Sequence, residues 1–386
     1  MKHKILTILF ILGILLPARV VRAENIPSSS EESKPGEVLC PPGAYLQTPQ
    51  DCLPLGPSQT LTDLARQGIF LPLMPLPAAK PDPELVKSDL NFAKLNVAAY
   101  EPVPIYGSAE DAANGSNPIN YIPAGETRYV SYNSRTQING GHYLQRTAGG
   151  WVRASPTGYS SFQGILFSKT PDHSFGWIVD TNRPRTTPGY GSPEVAKELY
   201  REDVVNIYAM TEANGTDWYM IGLNEWVERR YIRELRIASQ PPEGVTGRWI
   251  DINLYDQTLA AYEDGQLVFA TIIATGAFPY YTQPGLFQIY EKKPAETMTG
   301  AFSADRSDYY QLEDVPWTMY YDQKRAIHGA YWRAWFGYEQ THGCVNLSIG
   351  DSHWLYNWAS EGDWVHVWDP SGHTPTDPAF YGAGGA

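Results

Sequence analysis

Proline and glycine recur so often along this chain that no long helix has room to form: 31 Pro and 34 Gly are spread over 386 residues. Proline removes a helical hydrogen bond and clashes with the preceding turn, and glycine gives up the most backbone entropy on folding. Between these breaks stand 26 Tyr and 12 Trp, aromatic types that suit a pleated, half-buried surface. The combination predicts a mainly β protein of short strands joined by many turns. An apolar content of 42% with 18% charge excludes a disordered chain, and the length suffices for two or three packed domains. A net charge of −13 provides no electrostatic reason to bind nucleic acid or an anionic membrane.

Lys2 and Lys4 precede an apolar run from Ile5 to Leu16, and Val21-Arg22-Ala23 then leads into Glu24. A charged start, an apolar run and a small-residue cleavage site are the three parts of a secretory signal peptide. The run is shorter than the ~20 residues that cross a bilayer. Residues 1–23 are therefore expected to be removed on export, so that the protein works in a periplasm or an extracytoplasmic cell wall and meets the membrane only through the signal peptide before cleavage. An oxidising compartment tends to pair thiols. Cys40 and Cys52 bracket a short Pro/Gly loop and are expected to pair. Cys344 is left over, either as a buried small hydrophobe or as a reactive thiol.

Residues 24–89 read as a low-complexity and Pro-rich N-terminal region, with one short helix over Thr60–Gln67. Between 90 and 238 a duplication is visible: Pro104-Ile105-Tyr106-Gly107-Ser108 recurs as Pro188-Gly189-Tyr190-Gly191-Ser192, and Trp151-Val152-Arg153 as Trp226-Val227-Glu228. Units at 90–160 and 161–238 resemble bacterial SH3-like modules, which are small β-barrels, and their exposed Tyr and Trp are candidates for holding cell-wall glycan. Residues 239–247 read as a linker and 370–386 as a flexible tail. Within 248–369, Ile250, Ile252 and Leu254 alternate with Asp251 and Asn253 as a half-buried strand, and Asp264-Gly265 fits a tight hairpin turn. Ser348, three residues before Asp351, reads as an N-cap of a helix that carries Trp354, Leu355 and Trp358 on one face and ends near Gly362. A final strand follows over Trp364–Trp368.

Four of the eight histidines, at 328, 342, 353 and 366, fall in the stretch that also holds Cys344. A thiol attacks as thiolate, and near a pKa of ~8.5 only a few per cent is ionised at neutral pH, so a nucleophilic Cys wants an imidazole within hydrogen-bond reach. His328 and His342 are the candidate bases. Gly343 removes the Cβ beside the sulfur, which lets a substrate carbonyl approach backbone amides able to stabilise an oxyanion. This is the chemistry of acyl transfer.

Ile327-His328-Gly329 followed by Thr341-His342-Gly343-Cys344-Val345-Asn346 resembles the signature of the L,D-transpeptidase catalytic domain (YkuD-like). Trp249-Ile250-Asp251-Ile252 and Thr275-Gly276 are similar to that domain's opening strands. One departure stands in the loop Thr282-Gln283-Pro284-Gly285-Leu286-Phe287, where Pro comes one place later than is usual in the family; the loop is read as lying away from the signature. The resemblance implies a β-sandwich with a short helix, in which Cys344 attacks a peptidoglycan stem peptide, expels the terminal D-alanine and passes the acyl group to a neighbouring stem as a 3-3 cross-link. It also implies His328 as base, Gly329 as the carbonyl that orients the imidazole, and the amides of His342, Gly343 and Cys344 as the oxyanion pocket. No cofactor is implied. Asn346, Tyr331, Trp332, Arg333 and Trp335 are expected to line the mouth of the site, Arg333 to meet a stem carboxylate, and Tyr320, with Tyr321, to reach the oxyanion.

Three other readings use the same residues. A zinc site from His328, His342 and Cys344 has suitable ligand types, but a His-x-Cys spacing is tight for tetrahedral ligation, and no metal is expected. A Cys344 carboxypeptidase or endopeptidase would use water as acceptor. A wall-binding protein with a decayed catalytic domain would have no reason to retain His328, Gly343 and Cys344 together.

Overall fold

The computed structural model describes residues 76–381 except 303, 304 and 307. The signal peptide, the Cys40–Cys52 pairing, the Thr60–Gln67 helix and most of the 24–89 region lie outside the described residues.

Two β-sheets face each other around the C-terminal core. The first runs, strand by strand, Ala78–Ala79, Ile165–Phe167, Gln266–Ile272, Thr258–Glu263, Trp249–Asn253, Trp364–Trp368 and Gly285–Gln288. The second begins Val345–Leu347, Arg325–Gly329, Tyr310–Asp322, and the hairpin arm Glu291–Gly300 also pairs with Tyr310–Asp322. Between them Ile250, Ile252, Leu259 and Phe269 meet Met319, Ile327, Val345 and Leu347, all fully buried. The helix Ile349–Trp358 adds Leu355 to this core.

Local chemistry sets these elements. Asp264 and Gly265 take positive φ (51° and 75°) and close the expected hairpin. Asn214-Gly215 does the same between Ala209–Ala213 and Thr216–Gly222. Ser348 caps the helix by accepting from the Asp351 amide. The helix stops at Trp358 rather than near Gly362, because the chain turns extended at Ala359. The strand Trp249–Asn253 is buried on both faces, not half-buried, because Asp251 is covered by His366 and Trp368, whose ring nitrogens lie 2.7 and 3.1 Å from its carboxylate.

The two stretches expected as matching SH3-like units do not fold alike. Residues 91–156 form strands around a core of Ala93, Ile105, Val130, Leu144 and Val152. Their long strand Thr127–Ile138 pairs in parallel with Tyr310–Asp322, so this unit continues the second sheet into one of eleven strands. Residues 175–235 instead make two three-stranded sheets, while Ile165–Phe167 joins the first sheet. The recurring Pro-x-Tyr-Gly-Ser runs differ accordingly. The first is a strand leading to Ser108, which caps the helix Ala109–Asn114, and the second is an irregular loop. The 239–247 linker packs Val245 into the core. The tail is held as far as Tyr381, which is buried and has the Arg325 guanidinium 5.2 Å from its ring centre.

Candidate active site

The Cys344 turn is clasped between two strands. On one side Val345–Leu347 runs parallel to Arg325–Gly329 and sets Asn346 opposite His328. On the other, Asn346 exchanges backbone hydrogen bonds of 2.8 and 3.0 Å with Ala274, and Thr341 bridges Gly276. Sheet pairing therefore brings the two halves of the signature together, although the sequence between them loops out.

Hydroxyl groups brace the turn from within. Thr341 Oγ1 accepts from the Gly343 amide at 3.1 Å and donates to the Cys344 carbonyl at 2.7 Å. Thr282 Oγ1 accepts from the Gly276 amide and donates to the Gly343 carbonyl, both at 2.9 Å. Gly343 has φ +115°, and a Cβ there would lie 3.2 Å from Arg325 Nε, so both conformation and space call for glycine. Two expectations are corrected. The Gly343 amide is engaged by Thr341 rather than held open for an oxyanion. The Thr282 loop touches the signature rather than lying away from it.

Cys344 is 4% exposed, and its sulfur sits 3.9 Å from the Lys324 carbonyl oxygen. Burial pushes the thiol up to about 11, against the pull of the Ala326 amide and the Arg325 cation. His328 is buried as deeply, and burial pushes its imidazole down to about 4, the Gly329 carbonyl opposing and Arg333 adding to the shift. Its Nδ1 lies 3.1 Å from the Gly329 carbonyl oxygen. A neutral ring in that contact carries its hydrogen on Nδ1 and leaves Nε2 as the basic nitrogen. Gly329 has no room for a side chain, since a Cβ would fall 2.5 Å from Ser352 Oγ. Thiol and imidazole are thus each uncharged at neutral pH.

Cys344, His328, Trp332, Arg333, His342 and Asn346 line one cleft of about 450 Å³. The Trp332 ring centre is 5.7 Å from that of His328. Arg333 donates to the Gln340 side chain at 2.9 Å and to its carbonyl at 2.6 Å, while its Nε, buried, has no partner among the described residues. Burial lowers its pKa to about 10, so it remains a cation at neutral pH. Asn346 is 2% exposed, with Oδ1 likewise unpartnered.

Three residues take other places. The His342 ring is stacked on Phe302, 4.5 Å between centres at 14°. This engages its face with the aromatic wall, and burial lowers its pKa. Tyr331 is fully buried and packs away from the mouth, against Phe92. Tyr320 lies within electrostatic reach of Cys344, but its hydroxyl is engaged, donating to Glu296 Oε2 at 2.8 Å across to the Glu291–Gly300 strand. Thr282 and Arg325 were missed by sequence reasoning because neither belongs to the signature; sheet topology alone puts them beside it. Among the described residues no three His, Cys, Asp or Glu side chains converge as a metal set.

Residues 247–367 match the family model of the L,D-transpeptidase catalytic domain. No curated relative matches the chain. Among solved structures, an L,D-transpeptidase from Stackebrandtia nassauensis is 28% identical over 36% of this chain and 60% of its own, with a TM-score of 0.27. A mutant L,D-transpeptidase from Enterococcus faecium is 23% identical over 32% and 50%, with a TM-score of 0.30. The Mycobacterium smegmatis L,D-transpeptidase is 17% identical over 55% and 94%, also at 0.30. The chain spans about half to three fifths of the length of the first two. The family assignment of 247–367 rests on the family model.

Proposed function

We propose that the protein, with its L,D-transpeptidase catalytic domain at 247–367, is an exported cysteine transpeptidase that forms 3-3 peptidoglycan cross-links. The observation that carries this reading is the single cleft lined by Cys344 and by His328, whose Nδ1 is engaged by the Gly329 carbonyl. A ring oriented in this way has Nε2 available for the thiol proton, with a backbone carbonyl in the place an acid takes in other triads. Because sulfur and imidazole rest neutral, proton transfer accompanies attack instead of preceding it.

Cys344 sulfur bonds to the carbonyl carbon of the third stem residue as its proton passes to His328. The tetrahedral intermediate collapses, the C–N bond breaks, and His328 returns the proton to the departing D-alanine amine. A side-chain amine of a second stem then attacks the thioester, the new C–N bond forms, the C–S bond breaks and the sulfur regains a proton. Trp332 and the buried donor and acceptor of Arg333 and Asn346 position the stem. Export and wall-glycan binding by the N-terminal units belong to the same proposal.

The test is incubation of the purified protein with disaccharide-tetrapeptide and product analysis by mass. A dimer formed with loss of D-alanine supports transfer; tripeptide alone would make the enzyme a hydrolase, and unchanged substrate would leave a wall-binding protein. Carbapenems are expected to add one drug mass at Cys344.

A further inference from the structure

The cleft has a second wall, supplied by residues outside the family match. Lys94 ends the strand Asn91–Lys94, Glu126 stands just before the strand Thr127–Ile138, and both line the cleft that holds Cys344. Backbone pairing fixes them there. Lys94 pairs with Tyr129, and the Glu126 amide donates to the Tyr309 carbonyl at 3.0 Å. Arg128 stiffens the intervening turn by donating to the carbonyls of Glu101, Pro123, Val97 and Ala98.

Glu126 is the only carboxylate among the described residues that line the cleft. Both Lys94 and Glu126 are exposed, and among the described residues neither enters an ion pair. A cleft wall with one free cation and one free anion complements a ligand that carries both charges. Asn346, which lines the same cleft, supplies an independent sign of a ligand: its buried side-chain carbonyl oxygen has no donor among the described residues, and such an acceptor calls for an N–H partner.

We infer that the N-terminal unit forms the acceptor wall of the active site. Glu126 receives the side-chain ammonium and Lys94 the side-chain carboxylate of the acceptor stem's diamino acid, so the enzyme prefers an acceptor whose far end is itself an amino acid over one bearing an amine alone. This rests on the acyl-transfer reading. The ammonium first yields one proton to water. The free amine then attacks the thioester carbonyl, its remaining excess proton passes through His328 to the sulfur, and the C–S bond breaks.

The experiment uses the full chain, a tetrapeptide donor, and two acceptors identical except for diaminopimelate or lysine at the third position. The readout is the acceptor KM, with acylation of Cys344 by donor alone followed in parallel by intact mass. Wild type is expected to favour diaminopimelate. Glu126→Gln should raise KM for both acceptors roughly tenfold, the scale of a lost charge-assisted hydrogen bond. Lys94→Met should raise KM about tenfold for diaminopimelate alone. The inference is overturned by a wild type that prefers lysine, by acceptor KM values that neither substitution moves, or by acylation slowed as much as transfer, which would put these residues on the donor side. A wild type that never forms the acyl-enzyme overturns the acyl-transfer reading itself.

Discussion

Phe92 and Tyr331 stack face to face, 3.7 Å between ring centres with planes 7° apart. Tyr331 lies three residues after His328 and directly before Trp332, and its hydroxyl donates to the Glu313 carbonyl at 2.6 Å. One aromatic ring of the N-terminal unit therefore seats the segment that forms the cleft's far side.

Phe92→Ala should lower stability by about 3–5 kcal/mol, the usual cost of emptying an aromatic core site. Tyr331 loses its platform and the Trp332–Gln340 segment loosens, so donor KM should rise in the folded fraction as well. Calorimetry and steady-state kinetics at low temperature separate the two effects.

The ionisation of Cys344 is open to alkylation kinetics. With its thiol held at about 11 by burial, the iodoacetamide rate should climb steadily from pH 7 to 10. An activated thiolate would instead show a plateau already present at pH 6.

His328 predicts a dependence of stability on pH. Its folded pKa of about 4 lies below the ordinary value of 6.5, so between those values the unfolded chain binds the proton and the folded one does not. Stability contributed by the neutral ring is then complete above about pH 6.5 and is lost as pH falls through that window. Melting temperature should drop from pH 7 to 4.5, and His328→Gln should flatten that slope while reducing turnover by roughly 10²-fold or more.

Thr282→Val removes two hydrogen bonds to buried backbone groups, those of Gly276 and Gly343. About 1–3 kcal/mol of stability should go with them. Because the Gly343 carbonyl is freed beside the sulfur, kcat should fall more than KM rises. A variant that loses stability yet keeps wild-type kcat would show the hydroxyl to be structural only.

Gly343→Ala places a methyl group at φ +115° against Arg325. It should cost roughly 1–3 kcal/mol through backbone strain and nearly abolish Cys344 acylation, as measured by intact mass with a carbapenem. Serine or alanine at Cys344, by contrast, should leave the melting temperature nearly unchanged while ending turnover.

What the sequence revealed follows from where its chemistry lies. Thr341 through Asn346 is contiguous, and a thiol, a nearby imidazole and a flanking glycine announce their purpose without a fold. His328 was legible because a nucleophilic thiol needs a base and few imidazoles were available. Thr282, Arg325, Lys94 and Glu126 were not legible, for each reaches the cleft only through strand pairing across long stretches of sequence. Tyr331 was misplaced because nearness in sequence to His328 does not fix where a side chain in the following turn packs, and this one is drawn onto Phe92. The repeated Pro-x-Tyr-Gly-Ser run misled because the same residues serve a strand and cap in one place and a loop in the other.

The shared eleven-strand ladder bears on how this molecule can be handled. Excising 247–367 along the family boundary would strip Tyr310–Leu312 of its parallel neighbour and the Gln266–Ile272 strand of Ile165–Phe167, laying bare two raw sheet margins that invite association with other chains. A fragment so trimmed should precipitate or self-associate, whereas a cut made before Ala78 keeps both margins covered. The evolutionary unit and the folding unit do not coincide here.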